Sequence, residues 1–377
     1  MNKTAQQQLA QQVHARQLRL VLAVTGGGSQ AISTLLSEPG ASRSILEATV
    51  PYSSEALTTW LGGQPEDYCS ARTGRAMAMA AYLKARAFDP AAATGGVACT
   101  ASLASDRPKR GAHRAHVAWQ TAGTTAELHL ELLKGRRTRA EEEELVGKLV
   151  LNAVAEASGA AARIELPLLA GEQVEQVRVD APADEQDLLA GSRLAVPRGT
   201  AHLSQLPRAI FPGAFHPLHA AHRKIAEVAR RLLHCEVEFE LSIENVDKLP
   251  LDFIESAERV KQFGPRDAVW LTRAPTFVRK AELFPGCTFV VGADTIERVG
   301  QPRYYGSEES MLAALESIAS SACRFLVFGR AGGGAFRTIV ELNLPEPLAR
   351  LCQGVSEADF REDISSTELR NQGKPLP

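Results

Sequence analysis

The sequence predicts an α/β fold divided between two domains, and three observations carry that prediction. Apolar runs of strand length alternate with helical runs, the pattern of parallel sheets joined by helical crossovers. Two strand-like runs break at glycine turns that open straight into helices, at residues 25–29 and 212–222. The chain of 377 residues has room for two domains at roughly 100–200 residues each. The expected division is a first domain over 1–160, a linker over 161–206 and a second domain over 207–377.

In the first domain, residues 4–17 read as a glutamine-rich amphipathic helix with Leu9 and Val13 on one side. A strand over 19–24 ends at Thr25-Gly26-Gly27-Gly28-Ser29, where Ser29 suits the N-cap of a helix over 30–36. Strand, glycine turn and helix make a candidate phosphate cradle, although Gly26-x-Gly28-x-x-Ala31 is a weak dinucleotide fingerprint and no P-loop lysine follows. A long helix starts near Ser70 and carries Ala76, Met77, Met79 and Ala80. The strand over 96–101 leads to a basic loop, Arg107-Pro108-Lys109-Arg110. Strands over 113–120 and 124–132 follow, and Thr138 with Glu141 forms a capping box for a helix reaching Ser158.

Over roughly residues 5–158 this order resembles the C-terminal domain of the competence-damage protein CinA, whose catalytic members are nicotinamide mononucleotide deamidases. The shared features are Thr25-Gly26-Gly27, Pro39-Gly40-Ala41-Ser42, Tyr52-Ser53-x-Glu55-Ala56 and the Met-Ala helix. The family has Glu-Ser-Cys before its Thr-Gly-Gly, and that serine is its presumed nucleophile. Here those positions are Leu22-Ala23-Val24, and a methyl group cannot attack an amide. The resemblance therefore implies a degenerate CinA-like module that binds a nucleotide or dimerises, with the deamidase activity lost. Tyr52 would line its pocket, and Arg107, Lys109, Arg110 and Arg114 are candidates to meet a phosphate.

Residues 161–206 change character. Stretches 164–169 and 174–179 can pair as a hairpin across Ala170-Gly171-Glu172, and the segments around Pro182 and Pro197 are loop-forming.

The second domain opens on a short apolar strand over 209–211 that breaks at Pro212-Gly213. His219 and His222 then stand in the first turn of a helix running to about Leu233. Two imidazoles at i and i+3 share a helix face, beside first-turn N–H groups that have no intrahelical partner and favour anions. Strands over 237–242, 269–272, 288–291 and 325–328 alternate with helices over 254–262 and from Ala274 onward, which predicts a mainly parallel sheet.

Gly213-x-Phe215-x-Pro217-x-His219-x-x-His222 resembles the HxGH-type signature of the nucleotidyltransferase superfamily, with Ala221 where glycine is common. Ile364-Ser365-Ser366-Thr367-Glu368-Leu369-Arg370 resembles the ISSTxxR motif that closes the same site, and Gly292-Ala293-Asp294 also resembles the family. The resemblance implies a Rossmann-like domain that transfers an adenylyl group from ATP to a phosphorylated acceptor and releases pyrophosphate. It assigns His219, His222 and Arg370 to catalysis, and Gly213, Phe215, Asp294, Ser366 and Thr367 to the nucleotide. Lys248, Arg279 and Lys280 are candidates for the acceptor's phosphate. Mg2+ is expected with the triphosphate, held mostly by phosphate and water.

The fusion to a CinA-like domain favours nicotinamide or nicotinate mononucleotide as acceptor. Alternatives are a cytidylyltransferase acting on a phosphorylated alcohol, and a non-catalytic nucleotide sensor. Among partner classes, a net charge of −2 and a pI near 6.5 give no bulk electrostatic case for nucleic acid. No apolar run reaches the ~18–20 residues of a membrane helix. The six cysteines form no CxxC pair, which argues against zinc and a disulfide framework. The polar N-terminus carries no apolar signal segment, so the expectation is a soluble cytoplasmic protein, with homo-oligomerisation through the first domain left open.

Overall fold

Two sheets organise the chain. The computed structural model describes residues 4–106, 109–199, 209–245, 249–332 and 335–360. They divide into a first unit, Met1–Gln186 with Asp247–Ile254, and a second, Asp187–Val246 with Glu255–Pro377. Residues 249–254 count with the first unit through contacts such as Asp252 with Arg75 at 3.1 Å and the Phe253 N–H on Thr125 Oγ1 at 3.0 Å. Among the described residues no helix is long and apolar enough to cross a membrane.

The first unit contains α1 (Ala5–His14), β1 (Arg19–Thr25), α2 (Gln30–Ser37), α3 (Ala41–Ser44), β2 (Ile45–Thr49), α4 (Ser54–Leu61) and α5 (Ala71–Phe88), then β3 (Thr94–Ser102), β4 (His113–Thr121), β5 (Thr124–Leu132), α6 (Arg139–Ala157) and β6 (Val174–Asp180). Its sheet runs β2-β1-β3-β4-β5-β6. The period-2 alternation of β1 sends Leu20, Leu22 and Val24 into a core with Leu9 and Val13 of α1 and Leu145, Val146 and Leu149 of α6. Val21 and Ala23 point the other way, onto α5. That helix lies almost backbone-on-backbone against β3: a Cβ on Gly96 would come within 2.2 Å of the Ala78 carbonyl oxygen. The capping box at Thr138 and Glu141 forms as expected.

Two local expectations are corrected. Ser29 makes no side-chain cap; its hydroxyl donates to Glu143 of α6 at 2.8 Å, and the Gly28 N–H donates to the same carboxylate at 3.0 Å. A carboxylate of the chain itself thus occupies the turn read as a phosphate cradle, because a helix N-terminus takes whichever anion is nearest. The hairpin between 164–169 and 174–179 is also absent. Asn152 of α6 takes both the N–H and the C=O of Ile164, at 2.7 and 2.8 Å, and those groups are lost to any ladder. Val174–Asp180 instead pairs antiparallel with β5.

Next come α7 (Ala183–Ala190), β7 (Ala195–Arg198), β8 (Ala209–Pro212), α8 (Ala220–Leu233), β9 (Val237–Ser242), α9 (Phe253–Val260), β10 (Val269–Thr272), α10 (Phe277–Leu283), β11 (Thr288–Gly292), α11 (Ala293–Val299), α12 (Glu308–Ser320), β12 (Arg324–Phe328), a small hairpin of β13 (Arg330–Gly332) and β14 (Ala335–Arg337), α13 (Glu346–Ala349) and β15 (Cys352–Gly354). The large sheet of the second unit runs β15-β12-β11-β8-β9-β10-β7. Its pairings are parallel apart from β7 against β10. The stretch expected as a linker therefore supplies an edge strand to each sheet. After β10 the chain returns to the far side of β8 to lay down β11, so the strand order reverses between β8 and β11. In a doubly wound sheet the ligand crevice opens at the carboxyl ends of the strands flanking such a reversal.

Candidate functional site

Both strands at the reversal lead into sequence-predicted motifs. β11 ends at Gly292 and passes into α11, with half-buried Asp294 in its first turn. β8 ends at Pro212, and the turn over 213–219 carries the chain into α8. Gly213 starts that turn with its N–H on the Glu240 carbonyl at 3.0 Å. Phe215 sits at φ +44 with its ring buried, edge-on to Phe211, Phe239, Phe263 and His222 at centroid distances of 5.2–5.5 Å. A Cβ on Gly213 would stand 2.6 Å from that ring, so glycine is required for the phenyl to lie beneath the turn. Phe215 is thus unavailable for direct contact with a nucleotide. It shapes the backbone from below.

His219 is the N-cap of α8 and His222 lies in its first turn. Their rings stack with centroids 3.8 Å apart, and the His219 N–H donates to His222 Nδ1 at 3.3 Å. Burial lowers the pKa of both; for His222, burial with His219 and Arg223 alongside takes it down to about 3. At neutral pH the pair are neutral N–H donors and not cations. That suits a charge that grows on phosphate oxygens, since a preorganised donor costs no reorganisation when the charge arrives.

The acceptor assignments divide. Lys280 is buried, with Nζ at 2.7 Å from both oxygens of the fully buried Glu240 carboxylate, which also accepts the Thr272 hydroxyl. Its charge is consumed inside the sheet–helix interface, and the acceptor role given to it is corrected. Arg279 is exposed and pairs with Glu282 at 2.9 Å, one turn along α10. Lys248, Ser366, Thr367 and Arg370 lie outside the described residues.

One group was not singled out from the sequence. Glu255, Arg259 and Gln262, spaced i, i+4 and i+7 from α9 into the residues after it, meet the turn over 213–219. Arg259 donates to the Ala214 carbonyl at 3.0 Å, and its Nε and Nη2 reach Glu255 at 3.0 and 2.7 Å. Gln262 donates to the Phe215 carbonyl at 3.0 Å and accepts from the Leu218 N–H at 2.8 Å. The signal available in the sequence was a polar stripe at helical spacing.

Residues 210–372 match the family model described as cytidylyltransferase-like. No curated protein matches the chain. Solved structures similar to the N-terminal part include the competence/damage inducible protein CihA from Agrobacterium tumefaciens (20% identity, 41% of this chain and 95% of that one, TM-score 0.33). Others are a competence-damaged protein (CinA) superfamily protein from Escherichia coli (18% identity, 40% and 86%, TM-score 0.32) and a competence or damage-inducible protein from Enterobacter asburiae (21% identity, 42% and 98%, TM-score 0.34).

The first unit has a cavity of its own. About 260 Å3 in volume, it is lined by Thr25, Gly26, Tyr52, Ser53, Lys109 and Arg139 among others. Ala23, where the deamidase nucleophile is expected, is fully buried in an apolar cluster with Leu57, Met77 and Ala78. Arg114 donates to the carbonyl of Cys69, itself in the cavity lining, at 2.9 Å and pairs with Asp67 at 3.3 Å, and Arg107 lies outside the described residues.

Proposed function

We propose that the cytidylyltransferase-like domain transfers an adenylyl group from MgATP to nicotinamide or nicotinate mononucleotide, releasing pyrophosphate. One observation carries the reading: the strand order reverses between β8 and β11, and their carboxyl ends lead into the His219–His222 helix start and the Gly292-Ala293-Asp294 turn. A phosphate oxygen of the acceptor attacks the α-phosphorus of ATP. The bond from that phosphorus to the α,β-bridging oxygen breaks, its electron pair stays on the bridging oxygen, and pyrophosphate leaves. Little covalent work falls to the protein, so positioning and charge stabilisation set the rate. The first-turn N–H groups of α8 and the neutral His219 and His222 donate to the phosphates. Asp294 takes ribose hydroxyls, and Ser366, Thr367 and Arg370 hold the triphosphate.

Among the described residues no three His, Cys, Asp or Glu side chains converge on a metal position. A magnesium ion would arrive with the nucleotide, ligated by phosphate oxygens and water. Arg279 is the remaining described candidate for the acceptor's phosphate.

The family description favours a second reading, cytidylyl transfer from CTP to a phosphorylated alcohol. Label separates the two. With ATP labelled on the α-phosphorus, the adenylyl reading expects the label in a dinucleotide formed with the mononucleotide. Label that moves only from CTP, into a phosphorylated alcohol, would replace ATP and the pyridine acceptor.

For the first unit, we propose ligand binding without amide hydrolysis. The full-length chain should release no ammonia from nicotinamide mononucleotide, because the methyl of Ala23 offers no nucleophile. Ammonia release above that of buffer would show that another group, such as Ser53 in the cavity wall, has taken the role.

A further inference from the structure

The turn over 214–218 runs between a strand and a helix without a ladder partner, and its polar groups must be satisfied some other way. Gln262 satisfies two of them with one amide. Its orientation is unambiguous, because the partner of Nε2 is the Phe215 carbonyl and the partner of Oε1 is the Leu218 N–H. Arg259, anchored on Glu255, holds the Ala214 carbonyl of the same turn. The Glu255 carboxylate also lies 3.6 Å from His216 Nδ1. The next N–H along the chain after Leu218 is that of His219, which donates to His222 Nδ1. A ring nitrogen that accepts an N–H carries no proton, and in a neutral imidazole the proton is then on the other nitrogen.

We propose that Gln262, steadied by Arg259, is a positioning residue that selects the tautomer of His222. By fixing the Pro217–Leu218 peptide it sets the chain entering the next peptide unit, whose His219 N–H falls on Nδ1, so His222 presents Nε2–H as its donor. The purpose of that donor rests on the nucleotidyl-transfer reading above; the tautomer does not. With Gln262 removed, the Leu218 N–H loses its acceptor and the turn relaxes. The neutral ring of His222 is then free to carry its proton on Nδ1, where the N–H points back into the turn and serves no ligand.

The test uses full-length protein labelled with 15N in its imidazoles, as wild type, Gln262→Met and Gln262→Glu, studied by NMR without ligand and then by kinetics. The expected wild type shows His222 protonated on Nε2 alone. Gln262→Met should mix the two tautomers and lower kcat roughly tenfold or more, the scale of a small misplacement of a reacting group, while KM for the triphosphate changes less. Gln262→Glu keeps an acceptor for the Leu218 N–H, and should restore the tautomer and part of the rate. A proton on Nδ1 of His222 in the wild type overturns the inference. So does a tautomer left unmoved by Gln262→Met. Should no donor and acceptor pair turn over, the transfer reading falls, and the ligand-free spectra still decide the positioning role.

Discussion

His222→Ala should cut turnover by about 10²-fold or more, the cost of losing one preorganised donor to developing charge. The folded state should lose only about 1 kcal/mol, the centre of the range for single substitutions, because the ring is half-buried against Phe211 and Phe215. His222→Gln keeps a carboxamide N–H near the reach of Nε2 and should retain more activity than alanine does. Initial-rate kinetics beside thermal melts separate the two effects. The donor is expected to work neutral. Burial places the His222 pKa at about 3, well below the ordinary imidazole value, so the ligand-free protein should show no His222 titration between about pH 5 and 8. A protonation step in that range, or an alanine variant with near-normal turnover, would remove His222 from the phosphate site.

Lys280→Ala should be among the most destabilising single changes in the second unit. Removing one partner of a buried pair strands the other charge, at a cost of about 3–5 kcal/mol, against a total stability of about 5–15 kcal/mol. Glu240 would be left fully buried with the Thr272 hydroxyl as its remaining described side-chain donor. Lys280→Met combined with Glu240→Gln should recover most of the loss, since an amide still accepts from Thr272 and no charge is stranded. Arg279→Ala should shift stability by less than about 1 kcal/mol, as for other exposed ion pairs. If Lys280→Ala leaves the melting temperature unchanged and raises only the KM of the acceptor, the buried pair is wrong and the ligand role returns. Denaturant titrations and acceptor KM, measured on the same variants, decide between these outcomes.

Strands, helices and their order were legible because alternation and caps are local: β1, β4, β5, β8, β9, β10 and the Thr138 capping box fall where pattern and chemistry put them. The helix start at His219 and His222 was legible for the same reason, as a contiguous signal. Glu238 and Glu240, alternating with Val237, Phe239 and Leu241, look like the wet side of a strand. In a parallel sheet interior both faces are covered, and each carboxylate must find a donor on a neighbouring element. Trp270 serves Glu238 at 2.5 Å, and Lys280 and Thr272 serve Glu240. Lys280 follows Glu240 by 40 residues, a distance that no helical or strand period encodes. Likewise Ser29 gave up its cap for a carboxylate 114 residues away, and Gln262 is only a polar residue past a helix end until the turn it holds is seen.

On the proposed reading, the turn between β8 and α8 binds a nucleoside triphosphate and passes its nucleotidyl group to a phosphorylated acceptor. Pyrophosphate release by the full-length protein, with ATP and CTP each crossed against nicotinamide mononucleotide, nicotinate mononucleotide and a set of phosphorylated alcohols in the presence of Mg2+, tests it most directly. Release is expected only when a donor and an acceptor are both present, fastest with ATP and a pyridine mononucleotide, and lost in His222→Ala. Orthophosphate in place of pyrophosphate, release that ignores the acceptor, or no release from any pair would contradict it.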